Sequence, residues 1–239
     1  MISQKMDHSI QTESVSLEVA PHWPQAVRDR IASLSNDDTV INARVEAINQ
    51  ALSGDVRVRI LRQAMAAPTA VQKIQWLRRE ADLLVKAAAP VSACRKGCSH
   101  CCNIGVMVYE QEAQIIGRAI GVKPKTPHPD VVFDVSYASN EADTHSKIDI
   151  LTNEFLGTPC TFLKEGSCSI YADRPMNCRL QINIDVDETL CELVPGGSIP
   201  VPYLNVENSR SVYAMAMARK SDGGSRMSDL RHFFPKGLS

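Results

Sequence analysis

Several features are scarce in this sequence of 239 residues, and each absence argues against a class of protein. Aromatic residues make up only 5%, which disfavours a surface that stacks the bases of nucleic acids. No apolar run reaches the roughly 18 residues that a membrane-spanning helix needs. The formal net charge of -1 gives no general attraction to nucleic acid or anionic lipid. We therefore expect neither nucleic acid nor a membrane among its partners.

The beginning of the sequence, M-I-S-Q-K-M-D-H, contains no apolar segment typical of a secretory signal. A reducing, cytoplasmic location is therefore expected. In such a compartment clustered cysteines are more often metal ligands or redox groups than disulfides. The eight cysteines of this chain are thus its most informative feature.

The segment 21–90 is predicted to be helical because its apolar residues recur at spacings of three and four. Four helices are expected, over about 25–35, 40–52, 56–66 and 69–88. The last has the most regular face, formed by Ala70, Ile74, Leu77, Ala81, Leu84 and Ala88. This helix is interpreted as a core-facing element of a bundle, with binding of an unknown protein partner through the N-terminal helices as the alternative.

The fold class expected is mainly α, with an irregular cysteine-rich metal-binding core, a few short strands and an N-terminal helical bundle as an extension. Later helices are predicted from about 110, 143 and 206, and Arg174-Pro175 indicates a turn or a helix start. Alternation predicts strands near 131–135 and over 181–186, and Lys164-Glu165-Gly166 indicates a tight turn. The predicted organisation is a flexible tail at 1–20, a helical region at 21–90, a cysteine-cluster domain at 91–220 and a second flexible tail at 221–239.

Seven of the eight cysteines fall into two segments. The first, C-R-K-G-C-S-H-C-C, contains Cys94, Cys98, Cys101 and Cys102, and the second contains Cys160, Cys168 and Cys178. As a helix, the first segment would project its four thiols within an arc of about 100°. A turn that opens into a helix is the alternative, and it leaves backbone N–H groups free to bond to sulfur. Because clustered thiolates repel one another, either arrangement favours a metal cation between them.

The number of thiols bears on the identity of the metal. Zinc takes four nitrogen or sulfur ligands, and an iron–sulfur cluster normally takes four thiolates. Seven thiols exceed the needs of one zinc ion, which favours a cluster or two ions. The spacings match neither a zinc ribbon nor a bacterial ferredoxin. The predicted ligands are Cys94, Cys98, Cys101, Cys102, Cys160, Cys168 and Cys178, with an iron–sulfur cluster preferred and zinc as the alternative.

Several other residues are candidates for roles at this site. His100 is a less favoured ligand because two cysteines follow it directly, and Cys191 is expected to be a buried thiol outside both segments. An acidic cluster after Cys178 is expected to be solvated, and it consists of Asp185, Asp187 and Glu188. The basic residues that are candidates to bond to sulfur or offset its charge are Arg95, Lys96, Arg174 and Arg179. Catalytic residues are not assigned, because the sequence has no Ser-His-Asp order, no H-E-x-x-H and no phosphate-binding loop.

The two cysteine segments resemble the paired signatures of the CxxCxxCC (YkgJ-like) cysteine-cluster family. The first match is C-R-K-G-C-S-H-C-C, in which three residues instead of two follow Cys94, and the second includes C-S-I-Y-A-D-R-P-M-N-C-R. The resemblance covers about 85–182 and implies chelation of zinc or iron, with an iron–sulfur assignment often suggested. Some relatives are associated with protein lysine methylation, but this sequence has no glycine-rich S-adenosylmethionine loop after a strand.

Three functions follow from these observations. The favoured one is a metal-binding protein whose cysteine cluster, drawn from two segments, serves as a cofactor or redox centre. The first alternative is an interaction module in which zinc staples two irregular segments together. The second is an enzyme, for example one that modifies proteins, that depends on the metal site.

Overall fold

Four helices form the N-terminal part of the protein, as the spacing of apolar residues predicts. The structure, a computed structural model, describes residues 19–95, 97–134, 141–193, 199–217 and 226–238. The N-terminal helices are α1 (Gln25–Asn36), α2 (Thr39–Ala51), α3 (Val56–Ala66) and α4 (Ala70–Ala88). Thr69 caps α4 by accepting a hydrogen bond of 3.2 Å from the backbone N–H of Gln72. Five of the six residues predicted for the inner face of α4 are buried, and Ala70 is half-buried.

Short elements separated by irregular segments make up the rest of the described chain. The further helices are α5 (Glu110–Ile120), α6 (Glu141–Asn153), α7 (Met176–Arg179), α8 (Glu207–Met217) and α9 (Leu230–Phe233). The predicted helices from about 110, 143 and 206 are thus confirmed within the described residues. Helix α7 begins directly after Pro175, so the helix start indicated by Arg174-Pro175 is confirmed. The predicted tail at 1–20 lies outside the described residues up to residue 18.

Two small antiparallel sheets complete the architecture. Strands β1 (Met107–Tyr109), β2 (Phe133–Asp134) and β5 (Arg226–Asp229) form the first, with β5 in the centre. Val108 lies opposite Ser228, and Phe133 lies opposite Met227. The second is a hairpin of β3 (Leu163–Lys164) and β4 (Ser167–Cys168), so the tight turn predicted at 164–166 is confirmed.

The N-terminal helices and the cysteine-rich part share one hydrophobic cluster. It contains Ile74, Leu77 and Leu84 of α4 together with Met176 and Leu180 around α7. Other members are Ile182, Ile184, Leu204, Tyr213 and Met217. Helix α4 therefore supports the cysteine-rich part directly and lies in the interior, as predicted. The division of the chain into domains at residue 90 stays a prediction.

The prediction of a flexible tail at 221–239 is wrong for residues 226–238. Strand β5 is the middle strand of its sheet, and Phe233 and Phe234 are buried. At Gly237 the backbone approaches the carbonyl of Thr161 so closely that a side chain there would collide with it. The segment has few apolar residues with clear periodicity, and its burial depends on partners far away in the chain.

The predicted strand over 181–186 is also wrong, because this segment makes only one isolated bridge, between Asn183 and Tyr203. Its neighbour contains Pro202, which has no N–H to donate and therefore interrupts a regular ladder. Ile182, Ile184 and Asp185 are all buried, so both sides of the segment face the interior. In the part of the chain that the structure describes, no helix is long and apolar enough to cross a membrane.

Candidate metal centre

The first cysteine segment follows α4 as an irregular loop and closes with a single 3-10 turn over His100–Asn103. Gly97 has a φ of 90°, a left-handed conformation that glycine adopts without strain, and the Cys98 N–H donates to the carbonyl of Arg95 at 3.0 Å. The expectation of a regular helix is therefore wrong, and the alternative of a turn that opens into a helical turn is confirmed. Lys96 lies outside the described residues.

The three cysteines of the second segment lie in three different parts of the fold. Cys160 precedes the hairpin, Cys168 ends β4, and Cys178 lies on α7. Met176, at the start of α7, donates its backbone N–H to the carboxylate of Glu112 at 2.9 Å. Glu112 also accepts a hydrogen bond from the hydroxyl of Tyr213. A buried carboxyl group on α5 thus holds the helix that carries Cys178.

Backbone hydrogen bonds join the two cysteine segments. The N–H of Cys160 donates to the carbonyl of Cys102, and the N–H of Gly157 donates to the carbonyl of Asn103, both at 2.7 Å. These bonds place the last cysteine of the first segment next to the first cysteine of the second. The predicted closure of one segment on the other is therefore present in the fold.

The guanidinium of Arg231 also holds both segments, although it lies in the predicted tail. It donates to the carbonyls of Cys102 at 3.2 Å and Thr158 at 2.7 Å. Its charge is balanced by Asp229 at 3.1 Å, and both side chains are buried. No spacing in the sequence indicates this residue, because its contacts are made more than seventy positions away in the chain.

Four thiols from both segments form what we call the inner group: Cys102, Cys160, Cys168 and Cys178. Cys102 interacts electrostatically with Cys160 and Cys178, and Cys178 interacts with Cys160 and Cys168. Burial raises the pKa values of the Cys160, Cys168 and Cys178 thiols. Ionisation of these thiols is therefore costly unless a cation lies beside them.

Cys101 lies between the inner group and a second set of thiols. A hydrogen bond from the Cys102 thiol, assisted by the positive charge of Arg174, lowers the pKa of Cys101 to about 7. The same bond, together with burial, raises the pKa of Cys102. Of these two adjacent cysteines, Cys101 is therefore the one that ionises first.

The remaining thiols, Cys94, Cys98 and Cys191, form what we call the outer group. The buried residue Asn183 links two of them, since its backbone N–H lies 3.3 Å from Cys94 Sγ and its Nδ2 lies 3.2 Å from Cys191 Sγ. Cys191 also interacts electrostatically with Cys98. The expectation that Cys191 lies outside the cysteine cluster is therefore wrong. Cys191 is far from the first segment along the sequence, but it lies near Cys94 and Cys98 in the folded protein. No spacing template in the sequence includes Cys191 or Asn183.

Sulfur atoms of both thiol groups accept hydrogen bonds from nitrogen donors. Besides the two bonds from Asn183, a backbone N–H two residues further along bonds to each of Cys98, Cys160 and Cys168; the donors are His100, Phe162 and Ile170. An N–H donor stabilises a thiolate more than a neutral thiol. These donors therefore prepare the sulfur atoms for the charged form that binds metals.

The chemistry of the donor set fits a thiophilic metal, since all eight cysteines are free thiols. In a zinc tetrahedron the sulfur atoms lie about 3.8 Å apart. Among the described residues, no three His, Cys, Asp or Glu side chains come close enough together to hold one ion as they stand. Binding of a single ion therefore requires side chains of the group to move closer. The ligand set stays a prediction.

The basic residues near the segments lie in different surroundings. Arg174 interacts electrostatically with Cys101, Cys168 and Cys178. Arg179 is buried and directs its nitrogen atoms to Asp82, at 3.0 Å, and to backbone carbonyls. Arg95 pairs with Glu188 at the surface. Of these three residues, Arg174 is the one whose charge acts on the inner group, where the charge of Arg231 also acts on Cys160.

Asp185 does not belong to a solvated acidic face, as the sequence suggested. It is buried and accepts a hydrogen bond of 3.0 Å from Nε of Arg30 on α1. Arg44 on α2 donates to the carbonyl of Val91 at 2.8 Å and also to that of Asp185. These contacts tie the N-terminal helices to the chain on both sides of the outer group.

Comparison with known protein families identifies the cysteine-rich part. Residues 93–193 match the profile of the CxxCxxCC family, described as "Putative zinc- or iron-chelating domain". The match includes both cysteine segments and extends to Cys191. No curated protein and no solved structure matches the chain.

Proposed function

We propose that residues 93–193, which match the CxxCxxCC family model, bind a metal cofactor through thiolates of both cysteine segments. An iron–sulfur cluster is the preferred form of this cofactor, and its role is that of a redox or electron-transfer centre. The observation that carries the proposal is the set of nitrogen donors directed at sulfur atoms in both thiol groups.

Burial of the thiols acts against these hydrogen bonds to sulfur. Burial raises the pKa values of Cys98, Cys160 and Cys168 although each sulfur accepts a backbone N–H. The donors alone therefore do not make the thiolates stable. A metal or a cluster supplies the missing positive charge, as thiolate coordination does in zinc and iron–sulfur proteins.

The number and grouping of the thiols support a cluster or two metal sites over one zinc ion. The inner group contains four thiols, which is the number that one cluster normally takes. The outer group with Cys101 contains four more. We propose the inner group as the principal site, and the outer group as a second site that includes Cys191.

The contacts between the segments support a cofactor role over that of a structural staple. Backbone bonds at 2.7 Å and the contacts of Arg231 already join the two segments through protein groups. A zinc-stapled module would depend on the metal for this closure. Binding of a partner through the N-terminal helices stays a separate proposal, without a surface that favours it.

Anaerobic purification followed by absorbance spectroscopy and analysis of iron, acid-labile sulfide and zinc tests the cofactor directly. We expect a broad visible band with iron and sulfide, and a reversible change of the band on addition of dithionite. Colourless protein with stoichiometric zinc would contradict the cluster. Loss of helical circular dichroism on chelation of the metal would support the staple instead.

Single cysteine variants test which thiols bind. Cys178→Ser is expected to lose the inner site, whereas Cys191→Ser is expected to lose only the metal of the outer group. The exposed residue Ser167, next to Cys168, offers Ser167→Ala as a control that keeps full metal content. Full metal content in Cys178→Ser would rule out the inner site.

A further inference from the structure

A cavity lies between α4 and the segment from Tyr171 to Arg179, beside the inner group. Its volume is about 480 Å³, within the range of about 300–1,000 Å³ that small-molecule sites occupy. Four cationic side chains line it: Arg78, Lys86, Arg174 and Arg179. Neither the family description nor the metal site accounts for a cavity with this lining.

The charges of the cavity do not balance within the protein. Asp82 pairs with Arg179 at 3.0 Å, and Asp173 pairs with Arg78 at 3.1 Å. In the described part of the chain no carboxylate pairs with Arg174 or with Lys86. Lys86 and Arg174 therefore line the cavity without a carboxylate partner among the described residues, and the charge of Arg174 acts on nearby thiols.

Donor atoms without partners accompany this excess of charge. The Nε atoms of Arg78 and Arg174 are buried, and neither donates a hydrogen bond within the described structure. A buried donor without a partner costs free energy, which a turn of either side chain toward an acceptor in the cavity would recover.

The other residues that line the cavity indicate what kind of ligand would fit it. Val85, Ala89 and Ala172 give the cavity an apolar wall. Tyr171 is exposed, and the guanidinium of Arg174 stacks 4.2 Å above its ring, which holds the arginine at the mouth of the cavity. This combination suits an oxyanion attached to a small organic body.

We infer that this cavity is a binding site for a small oxyanion, a phosphate or carboxylate group, with Arg174 and Lys86 as the principal recognition residues. Guanidinium groups bind both kinds of oxyanion through paired N–H donors. The inference goes beyond the proposed function, because it requires no metal in the inner group. It also places a ligand next to Arg174, whose charge acts on Cys101, Cys168 and Cys178.

Titration of the protein as purified with inorganic phosphate, and separately with acetate, tests the site at constant ionic strength kept by chloride. Calorimetry and the chemical shifts of arginine Nε–H groups report binding, and comparison of the two anions shows whether phosphate or carboxylate is preferred. We expect saturable binding of at least one of them, with shifts at Arg78 and Arg174. Absence of saturable binding of both anions would overturn the inference.

Three charge-neutralising variants localise the binding. Arg174→Gln is expected to weaken binding about tenfold, the effect of losing one charge-assisted hydrogen bond. Lys86→Gln is expected to weaken it about threefold, and its exposed position on α4 protects the fold. Arg62→Gln removes an equal charge from the exposed face of α3 and is expected to leave binding unchanged.

Two results would contradict the inference without contradicting the proposed metal centre. Unchanged binding in both Arg174→Gln and Lys86→Gln would place the anion elsewhere. An equal loss in Arg62→Gln would indicate attraction by overall charge instead of a site. Metal content, measured on each variant, separates either outcome from a failure of the proposed cofactor.

Discussion

In the inner group, backbone bonds and the buried guanidinium of Arg231 bring together thiols from both cysteine segments. In the outer group, Asn183 bonds to the exposed Cys94 and to the half-buried Cys191. The first arrangement depends on the fold of the whole cysteine-rich part. The second depends on one amide side chain and its neighbouring backbone. Disruption of the inner group should therefore affect both stability and metal content, whereas disruption of the outer group should be more local.

The largest effect is expected from Arg231→Met, which removes the guanidinium that supports the inner group. The variant leaves Asp229 buried without its cation and leaves the carbonyls of Cys102 and Thr158 without this donor. We expect a loss of about 3–5 kcal/mol in the free energy of unfolding, measured with urea.

The exposed Arg62 provides the control for this substitution, and Arg62→Met should change the free energy of unfolding by less than about 0.5 kcal/mol. If Arg231→Met were as stable as the control, the C-terminal segment would behave as the flexible tail that the sequence suggested.

A smaller effect is expected from Asn183→Ala in the outer group. The change removes the acceptor of the Asp185 N–H, at 2.7 Å, and the donor to Cys191 Sγ. Loss of these buried hydrogen bonds should lower the free energy of unfolding by about 1–3 kcal/mol. Metal analysis should show loss from the outer group only.

Asn177→Ala is the matched control, because Asn177 lies next to Cys178 and bonds to the carbonyl of Met107 at 2.7 Å. It should leave the reactivity of Cys191 toward alkylating reagents unchanged, whereas Asn183→Ala should increase it. Equal reactivity of Cys191 in the two variants would show that Asn183 does not organise the outer group.

The buried carboxyl of Glu112 adds a dependence on pH to the inner group. Burial raises its pKa in the folded state, more than the hydrogen bonds from Tyr213 and Met176 lower it. The folded protein therefore holds this proton more tightly than the unfolded chain does. The free energy of unfolding should fall as the pH rises from about 4.3 toward the folded pKa, by at most about 1.4 kcal/mol per pH unit.

Glu112→Gln should remove this contribution, because the amide stays neutral. Its one oxygen can still accept from the Met176 N–H, and its NH2 group can donate to the Tyr213 hydroxyl. Urea unfolding of Glu112→Gln and of the half-exposed control Glu110→Gln across this pH range measures the difference. Identical pH profiles of the two variants would contradict the role assigned to Glu112.

The smallest expected effect is a difference between the two groups in the rate at which their thiols react in metal-depleted protein. Cys94 is exposed, whereas burial raises the pKa of Cys178 well above its ordinary value. Since the thiolate is the reactive form, iodoacetamide should modify Cys94 at least about tenfold faster than Cys178. Mass spectrometry of peptides taken at successive times measures both rates, and equal rates would show that the two groups do not differ in environment.

Local spacing predicted the N-terminal helices and the cysteines that lie together within each of the two segments. The face of α4 from Ile74 to Ala88, the cap at Thr69 and the hairpin turn at 164–166 all depend on residues within one or two turns of the chain. The resemblance to the CxxCxxCC family likewise depended on motifs that can be read in order along the sequence.

The sequence by itself therefore determined which segments are helical and which cysteines are neighbours along the chain, because these properties arise between near neighbours. Only the tertiary structure placed Cys191 beside Cys94, Asn183 between them, and Arg231 across both cysteine segments. Arg231 and Cys102 are 129 positions apart, and Asn183 and Cys94 are 89 apart. Such contacts depend on the path of the whole chain and on the burial of Phe233 and Phe234. The spacing of apolar residues along the sequence does not predict either of these.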